Sequence, residues 1–252
     1  MAAPRRRACV TELHRAAAVG FARSADAYER GRPGYPDTAV DRLVAALPGP
    51  WVVDLAAGTG KLTRALVARG LDVIAVEPVA EMRAEIAPPA RSLGGTAEAI
   101  PLPDAGADGV TVAQAFHWFD GPRALAEIHR VLRPGGVLAL IWNRRDMRDE
   151  LHQRISALLE PHRGGVPAHR DGAWRDVFAA TRLFGPLREE TFVNQQILDG
   201  DGLADRSGSI SFVAAMGEAG RAVLLDDLRA LAGGGTVSLP YVVELQTARR
   251  AA

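Results

Sequence analysis

One stretch of the chain, Trp51-Val-Val-Asp-Leu-Ala-Ala-Gly-Thr-Gly-Lys-Leu62, constrains the fold more than any other. Its apolar start predicts a buried strand over 51–55, its small residues predict a tight turn, and the amphipathic segment after them predicts a helix. Gly58 and Gly60 allow positive φ and a close-lying ligand, because no Cβ stands in the way. The amides that open the helix would face that ligand. The sequence therefore predicts a strand–turn–helix cradle, and this stretch alone leaves the ligand open.

The composition is that of an ordinary globular domain of 252 residues, with 48% hydrophobic and 24% charged residues. The formal net charge is zero, so we expect neither a nucleic-acid partner nor a membrane partner. The one cysteine, Cys9, excludes an internal disulfide framework and favours a reducing compartment. Because we find no bilayer-spanning apolar run and no signal peptide, we expect a cytoplasmic protein.

A second β-rich run over 71–76 ends at Glu77 and completes a strand–helix–strand unit with the first stretch. Parallel units of this kind bind their ligand at the carboxyl ends of the strands. Glu77 is therefore placed to accept hydrogen bonds from two adjacent ribose hydroxyls. The alternative is a solvated loop carboxylate, which the neighbouring glycine turn makes the weaker interpretation.

The glycine turn can be compared with the motifs of three classes of nucleotide-binding protein. A phosphate-binding P-loop would need glycine where Leu55 stands and serine or threonine where Leu62 stands, so that class fails. A dinucleotide fingerprint would want a third glycine at Thr63, which weakens that class. What remains is an acid followed by alternating small residues, Asp54-x-Ala56-x-Gly58-x-Gly60, and the acid suits a ligand with a cationic amino group.

The downstream segments strengthen this third pattern. They are Gly95-Thr-Ala-Glu-Ala-Ile-Pro-Leu-Pro103, Gly109-Val-Thr-Val-Ala-Gln-Ala-Phe-His-Trp-Phe-Asp120, and Ala124-Leu-Ala-Glu-Ile-His-Arg-Val-Leu-Arg-Pro-Gly-Gly-Val-Leu-Ala-Leu-Ile-Trp142. With the glycine turn, they resemble the motifs of the class I S-adenosylmethionine (SAM) methyltransferases, small-molecule branch, with Ala56 in place of the first motif glycine. The Tyr-x-x-x-Arg-Pro-x-Tyr-Pro and Ala-Phe-His-Trp-Phe segments are similar to the trans-aconitate-type group of that branch.

The resemblance implies a Rossmann-like, doubly wound α/β fold. Its sheet has seven strands, mostly parallel, with an antiparallel last strand, and a helical lid precedes it. We expect an extension over 1–20, either helical or disordered, a lid over 21–36, a cofactor-binding core over 37–143, an acceptor-specificity region over 144–235 and the last strand over 236–248.

Residue roles carry over where the sequence matches the family motifs. The implied cofactor-binding residues are Tyr28, Arg32, Asp54, Ala56, Gly58, Thr59, Gly60, Glu77, Pro78, Met82, Ala97, Glu98, Gln114 and Ala115. Within this set, Glu77 holds the ribose and Met82 packs on the adenine, although a methionine in a helix is also ordinary core. Many relatives have aspartate where Thr96 stands, so the contact to the adenine amine falls to a hydroxyl or to Glu98.

The acceptor side is implied to follow the fourth strand. The candidate acceptor-binding residues are Tyr35, His117, Trp118, Trp142 and Ser207. His117 is the candidate general base, since a neutral imidazole can take a proton from a hydroxyl, and a purely orienting role is the alternative. No metal-ligand spacing is present among the six histidines.

The implied function is transfer of a methyl group from SAM to a small molecule, with S-adenosylhomocysteine (SAH) as the product. A SAM-fold protein that cyclises or rearranges a natural product is the alternative. A non-catalytic binding subunit and an NAD-dependent oxidoreductase fit the motifs less well. Whether the protein is a monomer or a homodimer is left open.

The secondary-structure pattern predicts further elements around these motifs. Asp37 is expected to cap a helix over 38–47, and Arg133-Pro-Gly-Gly136 to form a turn before a strand over 137–142. Helices are expected over 146–159, 174–183 and 218–231, and strands over 190–198 and 237–247.

Overall fold

A computed structural model describes residues 29–164 and 172–251. The expected extension over 1–20 and the first half of the expected lid, including Tyr28, lie outside the described residues. The first described residues, 29–31, are helical and lead into an extended segment that ends at Pro36.

The sheet has seven strands in the order β3-β2-β1-β4-β5-β7-β6. Strands β1 to β5 pair in parallel, and β7 lies between β5 and β6, antiparallel to both. The strands are β1 Trp51–Leu55, β2 Asp72–Val76, β3 Arg91–Leu93, β4 Ala107–Ala113, β5 Leu132–Arg145, β6 Arg188–Leu198 and β7 Val237–Arg249. The predicted fold class, including the antiparallel last strand, is confirmed.

Helices cover both faces of this sheet. They are α1 Asp37–Ala46, α2 Lys61–Val67, α3 Ala80–Ala84, α4 Gly121–Val131, α5 Glu150–Leu159, α6 Asp176–Ala180, α7 Gly200–Gly208, α8 Ser211–Ala214 and α9 Glu218–Ala230. Single 3₁₀ turns lie at Phe116–Trp118, Glu160–His162 and Ala173–Arg175.

Successive side chains of each strand point to opposite faces of the sheet, so the hydrophobic core has one cluster on each face. On one face, Leu43 of α1 packs in a cluster with Val52 and Val243, and on the other, Ile128 of α4 packs in a cluster with Val53. A third cluster joins α5, α7 and α9 over the first residues of β7. The carboxyl ends of β1, β2 and β4 stay at one edge of the sheet, where the glycine turn begins.

Three local predictions are corrected. Asp37 does not cap α1, because Pro36 occupies the N-cap position, and the Asp37 carboxylate instead pairs with Arg69 at 2.7 Å. The helix predicted over 174–183 is a 3₁₀ turn followed by the short α6, after which the backbone of Thr181 is extended.

The third correction concerns the turn predicted before β5. Arg133-Pro-Gly-Gly136 lies inside that strand as an irregularity, because Leu132 already pairs with Ala107 before the register shifts. The left-handed backbone of Gly135, φ 78°, accommodates the kink.

Candidate functional site

The turn after β1 has left-handed backbone at alternate positions. Ala56, Gly58 and Gly60 have φ of 56°, 59° and 83°. The Ala56 amide donates to the carbonyl of Val76 at 2.8 Å, which holds the turn against the end of β2. A left-handed conformation costs a residue with a Cβ about 1–2 kcal/mol. The geometry of the motif is therefore kept at Ala56 despite the missing glycine.

Glu77 stands beside this turn and is 4% exposed. Its Oε2 accepts a hydrogen bond from the amide of Gly58 at 2.9 Å, and its Oε1 accepts one from the amide of Val79, just past Pro78, at 2.9 Å. Burial raises the pKa of the Glu77 carboxyl, and the two amides oppose that rise. A carboxylate has about four acceptor positions, so each oxygen can accept one more hydrogen bond. Glu77 thus fits a pair of adjacent ribose hydroxyls.

Asp54 lies beneath the turn with no exposed surface. Its Oδ2 accepts from the hydroxyl of Thr63 at 2.6 Å and its Oδ1 from the hydroxyl of Thr111 at 3.0 Å. Burial raises the pKa of Asp54 to about 6, against the effect of these hydroxyls. The carboxylate therefore ties β1 to α2 and β4, and its contact with a cationic amino group stays a prediction.

The expected adenine side lies beyond β2 and β3. Met82 of α3 and Ala97 are 3% and 4% exposed. The Oε1 of Glu98 accepts a hydrogen bond from the amide of Asp120 at 2.9 Å, so this segment is joined to the start of α4. The structure brings these residues to the edge that carries Glu77, and their contacts with adenine stay predictions.

At the end of β4, the backbone turns sharply at Gln114. Its φ is 60°, and its amide donates to the carbonyl of Ile141 at 3.0 Å. Ala115 follows and precedes the 3₁₀ turn Phe116–Trp118, which carries His117. A non-glycine residue in this conformation is held by its surroundings, as is common at ligand sites.

Aromatic rings surround His117. Its ring lies 5.2 Å from Trp118 and 5.5 Å from Trp142, and Trp142 lies 5.3 Å from Trp174, between ring centroids. Trp142 and Trp174 are 1% and 6% exposed, so they form the packed base of this cluster rather than its open surface. Sequence reasoning missed Trp174, which was assigned only to a helix in the weakly matching region.

The described end of the expected lid bridges two parts of the site. Arg32 donates from Nε and Nη2 to the hydroxyl and carbonyl of Ser209, both at 2.9 Å, and Tyr35 packs against the core cluster under α1. The role predicted for Arg32 at the cofactor stays a prediction. Sequence reasoning missed Glu29, whose Oε2 accepts from the hydroxyl of Thr59 at 2.6 Å.

Ser207 lies on α7. It is 2% exposed and lines a cavity of about 10 Å³ together with His152 and Tyr241. Such a cavity has room for about one water molecule. This cavity is too small for an organic acceptor, and the predicted acceptor contact of Ser207 stays a prediction.

Within residues 29–164 and 172–251, no three histidine, cysteine, aspartate or glutamate side chains group closely enough to hold a metal ion. In the same ranges, no helix is both long and apolar enough to cross a membrane.

The chain is similar to known methyltransferases over most of its length. A family described as "Methyltransferase domain" matches residues 53–140. An uncharacterized methyltransferase of Mycobacterium tuberculosis is 41% identical over 235 residues, covering 89% of this chain and 93% of the relative. A malonyl-(acyl-carrier protein) O-methyltransferase of Pectobacterium atrosepticum is 33% identical over 181 residues, covering 62% of this chain and 71% of the relative.

A solved structure from Anaeromyxobacter dehalogenans, described as a type II methyltransferase, superposes with a TM-score of 0.66 at 25% identity. The superposition covers 86% of this chain and 97% of that one. The strand order, the left-handed glycine turn and the buried carboxylate after β2 agree with these similarities. Enzymes of this family use SAM as the methyl donor. The chain therefore belongs to the class I SAM-dependent methyltransferases.

Proposed function

We propose that the enzyme methylates a small organic molecule that binds between His117 and the glycine turn. The observation that carries the cofactor half of this proposal is the Glu77 carboxylate, which is buried at the strand edge with one acceptor position open on each oxygen. The trans-aconitate-type resemblance of the segments around Arg32 and His117 supports a small acceptor. The name of the Pectobacterium relative, an O-methyltransferase, supports an oxygen nucleophile as the first class to test.

The aromatic cluster supports the position of the acceptor. His117 and Trp118 are half-buried, whereas Trp142 beneath them is buried. An acceptor resting on these rings would meet flat apolar surface and one imidazole that can accept a proton. A hydroxyl acceptor would thus have its proton acceptor and its packing surface in the same 3₁₀ turn.

The protein needs few chemical groups for this reaction. Bound SAM supplies a methyl group already activated on a sulfonium, and the acceptor loses a proton as it gains the methyl. The chain's own residues hold the ribose, orient the acceptor and keep water out. Alignment alone supplies up to about 7–11 kcal/mol of the barrier in favourable cases.

A screen scored by SAH release tests the proposal. The wild-type enzyme is incubated with SAM and a collection of small organic acids, phenols and amines, and SAH and the converted acceptor are both quantified. We expect SAH and methylated product in equal amounts. Conversion of the acceptor without SAH would contradict methyl transfer and favour the non-methylating alternative.

The role of His117 is tested in the same assay with the acceptor found. His117→Ala should lower kcat and remove the proton-dependent limb of the kcat–pH profile, because the imidazole no longer takes the proton. His117→Gln keeps a hydrogen-bonding side chain and serves as the control for orientation. A kcat unchanged across pH in His117→Ala would contradict the base role.

A further inference from the structure

Residues 29–34, here called the strap, connect the glycine turn to the region that follows β5. The strap runs from the glycine turn after β1 to Asn143 of β5 and Asn194 of β6. The strap is held to the glycine turn through a side chain and to β5, β6 and α7 through both side chains and backbone groups. We expect the more weakly held side, at the glycine turn, to open.

On the glycine-turn side, the contacts converge on one carboxylate. Besides the Thr59 hydroxyl on its Oε2, Glu29 receives Lys61 Nζ on its Oε1 at 3.3 Å and Arg64 Nη2 on the same oxygen at 2.5 Å. Arg64 also donates from Nη1 to the carbonyl of Thr59 at 2.8 Å, so it joins the carboxylate to the backbone of the turn. The hydrogen bond from Thr59 and the ion pairs with Lys61 and Arg64 all meet at the Glu29 carboxylate.

On the other side, the strap is held at several points. Arg30 pairs with Asp205 of α7 at 2.7 Å, and Arg32 donates twice to Ser209, just past α7. The side-chain amide of Gln196 on β6 donates to the carbonyl of Gly31 at 2.9 Å.

Backbone packing adds to these bonds. A Cβ placed on Gly31 would lie 2.4 Å from the amide nitrogen of Arg206, so the strap and α7 are in direct backbone contact. The carbonyl of Gly34 accepts from the side-chain amides of Asn143 at 3.0 Å and Asn194 at 2.9 Å. The strap is therefore fastened to β5, β6 and α7 through backbone groups as well as side chains.

We propose that Glu29 is a positioning residue whose carboxylate latches the strap onto the glycine turn and sets the rate of cofactor exchange. The strap stays on the acceptor-specificity region while the latch opens, because the turn-side contacts described above meet at one carboxylate, whereas backbone groups and several side chains hold the other side. This inference rests on SAM binding at the glycine turn, as proposed above.

The latch should respond to salt. The side chains of Glu29, Lys61 and Arg64 are 36%, 21% and 46% exposed, so their attraction acts in partly solvated surroundings. Ion pairs of this kind are screened as ionic strength rises. Cofactor exchange should accordingly become faster with salt in the wild-type protein, and the salt effect should be smaller once the carboxylate is neutral.

The test measures the dissociation rate of SAH by stopped-flow displacement with excess SAM, at low and high sodium chloride. Glu29→Gln should release SAH about fivefold faster than wild type at low salt and should show little further acceleration at high salt. Arg30→Gln is the matched control, since it removes a charge from the same strap on the fastened side, and its rate should stay within about twofold of wild type.

Equal SAH dissociation rates in Glu29→Gln and wild type would overturn the latch, as would a salt dependence in the variant equal to that of wild type. A second variant, Lys61→Met, should also release SAH faster, and combining it with Glu29→Gln should add little, because both remove the same contact. If the folded wild-type protein binds no SAH, the proposed function fails. If SAH binds and the rates are equal, only the latch fails.

Discussion

The Asp54→Asn variant should change how stability depends on pH. Asp54 is fully buried, and its pKa of about 6 stands well above the ordinary 3.8. A rise of this size corresponds to about 3 kcal/mol of unfavourable ionisation in the folded protein. The folded state binds a proton below pH 6, whereas the unfolded chain releases it near pH 4. Stability from this group is therefore lost as the pH rises through that window.

The substitution keeps the size of the side chain and removes its charge. Thr111 can turn its hydroxyl toward the carbonyl of Val53, 3.4 Å away, and accept a hydrogen bond from the new amide. Any cost of this rearrangement is the same at every pH, so the difference between variant and wild type isolates the ionisation. That difference in the free energy of unfolding should shift in favour of Asp54→Asn by up to about 3 kcal/mol between pH 4 and pH 7.5.

Urea denaturation of the cofactor-free protein at a series of pH values measures the shift. The raised pKa of Glu77 contributes to both proteins, so most of its effect cancels in the difference, and what stays is its repulsion of the Asp54 carboxylate. Asp72→Asn, at an exposed position at the start of β2, is the control and should follow wild type. If the unfolding free energies of Asp54→Asn and wild type changed in parallel with pH, the raised pKa of the Asp54 carboxyl would be refuted.

Three further changes test other parts of the site. Ala56→Gly should stabilise the protein by about 1 kcal/mol in thermal unfolding, because it relieves the left-handed backbone at φ 56°, and an unchanged Tm would argue against strain there. Gly31→Ala should displace the strap from α7 and speed SAH release, since its Cβ would clash with the backbone of Arg206, and unchanged release would contradict that contact. Trp174→Leu should raise the KM of the acceptor more than that of SAM, as it loosens the base under His117, and equal KM changes would contradict its place on the acceptor side.

The sequence predicted the fold and the proximity of Glu77 to the glycine turn, because both depend on short, local patterns. The glycine turn and the acid at Glu77 belong to one strand–helix–strand unit, so their proximity follows from the fold class. The surroundings of Asp54 did not follow, since one of its partners, Thr111, lies 57 positions away on β4. The two hydroxyl partners of Asp54 therefore became visible only in the folded structure, and its contact with a ligand stays a prediction.

Contacts between segments that are distant in sequence could not be predicted either, because they depend on how the whole chain folds. Glu29 meets the glycine turn only because the folded chain brings its segment back over β1, and nothing in its local sequence marks it. The failed cap at Asp37 has a different cause. Proline at position 36 takes the N-cap place, and the long side chain of Arg69 competes for the carboxylate.

Calorimetric titration of SAH into the purified protein tests the central claim most directly. Wild type should bind one SAH per chain, and Glu81→Gln, at an exposed position on α3, should bind equally well. Glu77→Gln should bind at least about tenfold more weakly, since a side-chain amide cannot accept hydrogen bonds on both of its terminal atoms. A folded wild-type protein that binds no SAH, or a Glu77→Gln variant that binds it as tightly as wild type, would contradict the account.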